Sequence, residues 1–205
     1  MTTIHWYDHG SASQKKIAIT FDDGPNPHSA EAIMKILAER DVRATFFAVG
    51  KWAEKWPDVL KGLAEHHLIG NHSYLHEKPA RDFERSEETL VNILGRPSTY
   101  VRAPYFIYSA ELLRWVGSKI LIDGDLITED WSMTDPDKIY DAACGSGRAK
   151  PGSIIVLHDG SEIEDELATR PKPMIAALPR IIDHLQEQGF SLVGVDQLEF
   201  EDEKG

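Results

Sequence analysis

Acidic and histidine side chains follow two of the apolar runs in this chain. Asp22 and Asp23 come directly after the first run, and His72 and His76 come shortly after the third. Two imidazoles and one carboxylate are the protein ligands of many catalytic zinc sites, which keep positions open for water and substrate. The same set also suits non-haem iron oxygenases, so ligand type alone leaves the metal and the reaction open.

The histidines are spaced i, i+4, which predicts that both rings lie on one face of a helix. No glutamate follows His72, and this excludes a zinc-protease motif of the H-E-x-x-H type. Of the two adjacent carboxylates, one can bind a metal while the other stays free as a general base.

Three further groups of polar residues follow apolar runs later in the chain. They are Arg102-Ala-Pro104-Tyr105, Asp130-Trp131 and His158-Asp159. On residue type alone, a histidine at a strand end is equally well explained as a buried structural residue whose hydrogen bonds are satisfied. Their shared position favours chemistry, because α/β proteins with parallel strands place active sites at the carboxyl ends of those strands.

Seven short β-rich runs alternate with amphipathic helical patterns. The runs are Lys16 to Phe21, Ala44 to Val49, His67 to Gly70, Thr99 to Arg102, Lys119 to Ile122, Ser153 to Leu157 and Phe190 to Val195. Between the first two, apolar residues at i, i+3, i+4 and i+7 predict a helix, with Asn26 as its N-cap and Pro27 at N1.

This alternation predicts an α/β fold with parallel strands joined by crossover helices. A full eight-unit barrel typically needs ~250 residues. The 205 residues of this chain therefore favour a distorted, incomplete (β/α) barrel of about seven parallel strands. A doubly wound open sheet is the alternative.

The composition of 41% hydrophobic and 27% charged residues predicts one globular domain over residues 1–205. A formal net charge of -12 argues against nucleic acid and anionic membranes as partners. No apolar run reaches the length of a membrane span. The oligomeric state is left open.

The amino-terminal residues contain no export signal. The expected location is cytoplasmic for the chain as written, or secreted if a signal has been trimmed. Cys144 is expected to be a small packed residue, followed by a helix end at Gly145. The acidic segment from Asp159 to Arg170 is expected to be a solvated loop without chemistry.

Five sequence motifs occur in order along the chain: T-F-D-D-G-P, H-S-Y-L-H, R-A-P-Y, D-W and V-L-H-D. Together they resemble the motifs of the polysaccharide deacetylase family, also called the NodB homology domain or carbohydrate esterase family 4. The resemblance extends from about Lys16 to Leu198. It implies a distorted (β/α) barrel and hydrolytic removal of N-acetyl, or sometimes O-acetyl, groups from a carbohydrate substrate.

The resemblance also implies a divalent metal held by Asp23, His72 and His76. Zinc is the expected ion, with cobalt or another divalent ion as alternatives. Asp22 would be the general base, and Arg102 would pair with it, although a surface salt bridge is the plainer explanation of this arginine.

His158 would act as the general acid that protonates the leaving amine, and Asp130 would raise its pKa. The backbone N–H of Tyr105 would donate to the oxyanion of the tetrahedral intermediate. These roles complete the set of groups that amide hydrolysis requires.

Trp131, Val156 and Pro104 are the expected lining of the substrate pocket, with barrel core as the rival explanation for Trp131. The chain departs from the family pattern at Val156 and also at Ile127 and Phe106, where an acidic residue and a glycine are common. These departures surround the acyl pocket, so they put the substrate preference in doubt.

Two other functions are consistent with the same residues. One is an amidohydrolase of the same superfamily that acts on a small cyclic imide, a ureide or an N-formyl sugar. The other is a carbohydrate-binding relic without catalysis, which predicts a missing ligand or base.

Overall fold

The computed structural model describes residues 4–201, and the two ends of the predicted domain, residues 1–3 and 202–205, lie outside the described residues. All nine described strands belong to one sheet. The strands are β1 (His5–Tyr7), β2 (Lys16–Asp22), β3 (Thr45–Ala48), β4 (Leu68–Asn71), β5 (Tyr100–Val101), β6 (Ile120–Ile122), β7 (Leu126–Ile127), β8 (Ile154–His158) and β9 (Ser191–Val193).

Every described strand pair is parallel. The strand order is β1-β6-β5-β4-β3-β2-β8-β7, and β9 also pairs with β2. The sheet curls so that the chain after β6 approaches β8, where a Cβ on Gly124 would lie 2.9 Å from the Ile154 carbonyl oxygen. The incomplete barrel is therefore confirmed, and the open sheet is wrong.

The sequence predicted about seven strands, and the structure has nine in the described part of the chain. The two additional strands, β1 and β7, have three and two residues. Neither lies within one of the longer β-rich runs, whereas the equally short β5 lies within the run from Thr99 to Arg102. β1 and β7 lie at the two ends of the strand order, so the predicted centre of the sheet is unchanged.

Seven helices occur in the described chain. They are α1 (Ala30–Glu39), α2 (Gly50–Lys55), α3 (Pro57–Ala64), α4 (Ala80–Leu94), α5 (Ala110–Val116), α6 (Pro136–Cys144) and α7 (Lys172–Glu187). Side chains cap two of them, since Ser109 accepts from the Leu112 N–H before α5 and Asp135 accepts from the Asp137 N–H before α6. None of these helices is long and apolar enough to cross a membrane.

The predicted start of α1 is wrong, because Ser29 and not Asn26 is its N-cap residue. The Asn26 side chain is fully buried and donates to the carbonyl oxygens of Asp159 at 3.0 Å and Leu167 at 2.8 Å. A buried amide group must satisfy its hydrogen bonds. Asn26 therefore ties the turn after β2 to the segment after β8.

Alternate residues of β2 face opposite sides of the sheet. Ile17, Ile19 and Phe21 pack in the main core between the sheet and the helices. Ala18 packs in a second cluster inside the barrel. Because side chains alternate along a strand, Thr20 and Asp22 also point inside the barrel. This alternation directs Asp22 into the interior at the carboxyl end of β2.

The structure confirms the predicted structural roles of Cys144 and Gly145. Gly145 is the residue after the last turn of α6. Cys144 is buried, and its burial raises the pKa of the thiol to about 11. A thiol with this pKa stays protonated near neutral pH and is a weak nucleophile.

Candidate metal centre and active-site cleft

The carboxyl ends of neighbouring strands bring the predicted residues together. Asp22 in β2 pairs directly with His158 in β8. Asn71 at the end of β4 pairs with Val101 in β5. His72 and Arg102 are the residues that directly follow these two strands. Groups that are far apart in sequence therefore become neighbours at one edge of the barrel.

Asp23, His72 and His76 form a cluster whose potential ligand atoms all lie within 4.8 Å of one another. Oδ1 of Asp23 is 3.2 Å from Nε2 of His76 and 3.6 Å from Nε2 of His72. The zinc–ligand bonds in such sites are ~2.0–2.2 Å long. The cluster thus has the size and ligand types of a divalent metal site.

The hydrogen bonds of the cluster also fit a cation. Oδ1 of Asp23 is buried and has no hydrogen-bond partner among the described residues. Nδ1 of His72 lies 2.8 Å from the Arg102 carbonyl oxygen and donates to it, which directs the lone pair of Nε2 toward Asp23. A carboxylate oxygen and an imidazole lone pair repel each other unless a cation lies between them.

The protonation states in the cluster suit metal binding. Burial lowers the pKa of His72 to about 4 despite the opposing charge of Asp22, so its imidazole is neutral near pH 7. Burial would raise the pKa of Asp23, but neighbouring positive charge, above all that of His158, outweighs it and holds that pKa below its ordinary value. A neutral imidazole and an ionised carboxylate are the forms that bind metals.

The predicted helical face for the two histidines is wrong. His72 follows β4, and Ser73 and His76 have φ angles of 64° and 62°, which no helix contains. Asp82 at the start of α4 accepts hydrogen bonds from the backbone of the loop, including the Tyr74 N–H at 2.9 Å. These bonds replace helical ones. The loop still brings the two imidazole rings to 5.0 Å between centroids.

Arg102 is fully buried inside the barrel, so the surface salt bridge is wrong. One of its terminal nitrogens donates to Asp22 Oδ1 at 2.8 Å and to Thr20 Oγ1 at 2.7 Å. The other two nitrogens donate to the carbonyl oxygens of Ile122 at 3.1 Å and Asp123 at 2.8 Å. The guanidinium therefore fixes Asp22 against the chain that follows β6.

Replacing Arg102 by lysine is expected to lower the free energy of unfolding by about 1–3 kcal/mol, the cost of leaving a buried acceptor unsatisfied. Lysine keeps the charge but cannot reach Asp22, Ile122 and Asp123 at once. Urea unfolding followed by circular dichroism measures the change, with the exposed Arg180→Lys as the matched control. Equal stability of the Arg102→Lys variant and the wild type would contradict this role.

Asp130 holds His158 through both of its carboxylate oxygens. Oδ1 lies 2.8 Å from Nδ1 of the imidazole, and Oδ2 accepts from the His158 backbone N–H at 2.9 Å. Thr128 donates its hydroxyl to Oδ1 at 3.1 Å. The carboxylate thereby orients the ring, and His158 lines the same cleft as the metal cluster.

Burial alone would lower the pKa of His158, but the charge and hydrogen bond of Asp130 outweigh it, with smaller contributions from Asp23 and Asp22. Together they raise the pKa of His158 to about 9. The imidazole is therefore protonated near pH 7, as a general acid must be before it donates its proton.

These groups open into a cleft of about 460 Å³. It is lined by Asp22, Asp23, His72, His76, Ala103, Tyr105, Phe106, Ile127, Glu129, Trp131, Val156, His158, Glu162 and Arg170. Trp131 is 38% exposed, with its ring edge-on to His158 at 4.9 Å, so the core explanation for it is wrong. Pro104 is buried and does not belong to the lining, unlike its neighbours Ala103 and Tyr105.

Unusual backbone conformations concentrate at this cleft. Six of the eight described non-glycine residues with positive φ lie in or next to it: Asp23, Ser73, His76, Tyr105, Phe106 and Glu129. Such conformations are costly for residues with a side chain and are often found at functional sites. They turn the chain sharply after β2, β4, β5 and β7, and most of these residues themselves line the cleft.

The segment from Asp159 to Arg170 is solvated only in part, with residues 163–165 exposed as predicted. Its first part is buried, and Glu162 and Arg170 line the cleft. Arg170 donates to the Trp131 carbonyl oxygen at 3.2 Å and to Ser161 Oγ at 2.7 Å. In the sequence, only the position of this segment directly after His158 indicated that it lies at the cleft.

Comparison with known proteins agrees with the fold. A family model described as polysaccharide deacetylase matches residues 9–119. A chitooligosaccharide deacetylase of Rhizobium leguminosarum bv. trifolii is 31% identical, over 93% of this chain and 95% of the relative.

A peptidoglycan-N-acetylglucosamine deacetylase of Bacillus cereus is 30% identical, over 90% of this chain and 68% of the relative. The crystal structure of a peptidoglycan N-acetylglucosamine deacetylase superposes with a TM-score of 0.86 at 28% identity, covering 98% of this chain and 96% of the other. The motif order, the curled parallel sheet and these matches show that the chain belongs to the polysaccharide deacetylase family.

Proposed function

We propose that this protein is a metal-dependent hydrolase that removes acetyl groups from carbohydrates containing N-acetylglucosamine. The observation that carries the proposal is the pairing of Asp22 with His158 on adjacent strands, beside the Asp23–His72–His76 cluster and in one cleft. This arrangement supplies a base, an acid and a metal site to one bound amide. Names of the relatives support the same reaction class.

Asp23, His72 and His76 would hold the metal ion. A divalent metal in such a site polarises a carbonyl group and makes a water molecule more acidic. The residue set suits zinc, and cobalt or another divalent ion is the alternative.

Asp22 is the general base. Arg102 fixes Oδ1 of this carboxylate, whereas Oδ2 lies 3.9 Å from Nε2 of His72 and thus beside the metal cluster. A carboxylate held next to the site by an arginine can take a proton from the attacking water without binding the metal itself.

His158 is the general acid, at the end of β8, which lies on the other side of β2 from the strand that leads into His72. Its protonated imidazole donates a proton to the sugar nitrogen as the bond between that nitrogen and the acetyl carbon breaks. Trp131 and Val156 beside it provide an apolar wall for the acetyl methyl group.

The backbone N–H of Tyr105 is the proposed donor to the developing oxyanion. Tyr105 has a φ of 59° and lines the cleft, and its ring lies edge-on to His76 at 4.8 Å. A backbone donor fixed in this way needs no reorganisation when negative charge develops.

A neutral or weakly cationic glycan suits a chain with a net charge of -12 better than an acidic glycan does. Chitin-type oligosaccharides fit this charge, and the N-acetylglucosamine of peptidoglycan is also proposed because of the relative that acts on it. We also propose that residues 1–205 form a single catalytic domain, since all described strands join one sheet.

The test is acetate release from N-acetylglucosamine oligomers by metal-free, zinc-loaded and cobalt-loaded protein. We expect no release without metal and recovery when zinc or cobalt is restored. Acetylated xylan, a cyclic imide and an N-formyl sugar serve as comparison substrates. Hydrolysis of the imide or formyl sugar without acetate release would favour the other amidohydrolase, and loaded protein that is inactive on every substrate would favour the binding relic.

A further inference from the structure

Two aromatic side chains form a partly exposed pair at the edge of the sheet. Trp6 lies in β1 and is 47% exposed. Tyr108 lies between β5 and α5, and its ring centroid is 4.3 Å from that of Trp6, with 51° between the ring planes. We call Trp6 and Tyr108 the aromatic platform.

Asp123 fixes both rings of the aromatic platform. The indole N–H of Trp6 donates to Oδ2 of Asp123 at 3.0 Å, and the Tyr108 hydroxyl donates to Oδ1. Binding on fixed rings loses little side-chain entropy. Each carboxylate oxygen has a second lone pair, so Asp123 can also accept a hydroxyl group of a ligand.

Two connections tie the platform to the cleft. Tyr105 and Phe106 line the cleft, and the same segment continues through Ile107, which is 43% exposed, to Tyr108. On the other side, the Asp123 carbonyl oxygen accepts from Arg102, the arginine that fixes the proposed base. A glycan that extends out of the cleft along this segment would reach the platform next.

We propose that the aromatic platform binds a second pyranose ring of the glycan whose acetamide group lies between Asp22 and His158. This inference rests on the proposed function. The C–H face of a sugar packs on an aromatic ring, and sugar hydroxyls bond to a nearby carboxylate. The platform thus selects oligosaccharides long enough to occupy both places.

The kinetic test compares Trp6→Ala with the wild type on two substrates, the disaccharide (dimer) and the pentasaccharide (pentamer) of N-acetylglucosamine. The ratio of kcat/KM for the pentamer to kcat/KM for the dimer is expected to fall about three- to tenfold, the range expected for one lost aromatic contact. Tyr140→Ala, which removes an aromatic side chain on α6, is the matched control and should keep the wild-type ratio. An unchanged ratio in Trp6→Ala would overturn the proposal.

Trp6→Phe keeps a ring but loses the hydrogen bond to Asp123, so it should fall between the wild type and Trp6→Ala. It also keeps the test valid if the alanine variant does not fold. Sedimentation of both variants addresses a different use of the surface. A change of oligomeric state without a change in the kinetic ratio would show that the platform contacts another copy of the chain, and this would overturn the proposal.

A binding measurement separates this inference from the proposed function. In zinc-loaded Asp22→Asn protein, the Trp6 indole N–H resonance should shift when the pentamer is added and shift less with the dimer. This readout needs no turnover, so it can succeed even if the wild type releases no acetate. A Trp6 resonance that does not move with the pentamer would overturn the platform, whatever the fate of the proposed reaction.

Discussion

The Asp22→Asn variant is expected to release acetate about 10²- to 10⁴-fold more slowly than the wild type, the usual loss for a missing general base. Asparagine has nearly the same shape as aspartate and can still accept from Arg102, but it cannot take a proton from water. The loss should appear in kcat, because Asp22 acts as the reaction proceeds and not in holding the sugar. Steady-state assays of acetate release measure it.

The metal content of the same variant makes this prediction specific. Asp22→Asn should keep its metal, whereas Asp23→Asn should lose it, since only Asp23 is a proposed ligand. Elemental analysis distinguishes these adjacent carboxylates. Asp58→Asn changes a carboxylate that is 96% exposed on α3 and should behave as the wild type. A kcat within tenfold of the wild type in Asp22→Asn would contradict the base assignment.

Replacing His158 by alanine is expected to lower kcat on N-acetyl substrates by about 10²- to 10⁴-fold. The sugar nitrogen is a poor leaving group unless it is protonated. An activated aryl acetate needs no such proton, so the variant should lose much less activity on that ester. Exposed His66→Ala is the control. Equal losses on the amide and the aryl ester would argue against a general acid at position 158.

The pH profile follows from the interaction between Asp130 and His158. The acid must be protonated, and Asp130 outweighs burial to raise the pKa of His158 to about 9, so kcat/KM should fall as the pH rises through that value. In Asp130→Asn, burial is no longer opposed by that charge. The alkaline limb should then move to lower pH by about one to three units. If the alkaline limb does not move, a group other than His158 is responsible for it.

Much of the fold could be predicted because its signals are local. All seven predicted runs correspond to strands of the barrel, since alternating strand and helix patterns lie within short windows of sequence. The two missed strands, β1 and β7, lie outside the seven β-rich runs. They form only because β6 and β8 provide edges with which they can pair.

The residues of the site could be predicted for a different reason. Asp22, Asp23, His72 and His158 each lie at or just after a strand end, and parallel strands bring such ends to one edge of a sheet. The local backbone was less predictable. The i, i+4 spacing suggested a helix for His72 and His76, but bonds to Asp82 stabilise a loop instead.

The sequence alone determined which groups are available and at which end of the barrel they gather, because residue type and strand order are written along the chain. Only the tertiary structure decided that Arg102 lies inside the barrel against Asp22, that Arg170 joins the cleft, and that Trp6 stands beside Tyr108. These contacts join residues that are tens of positions apart. They arise from curling the sheet, and no local pattern specifies that curvature.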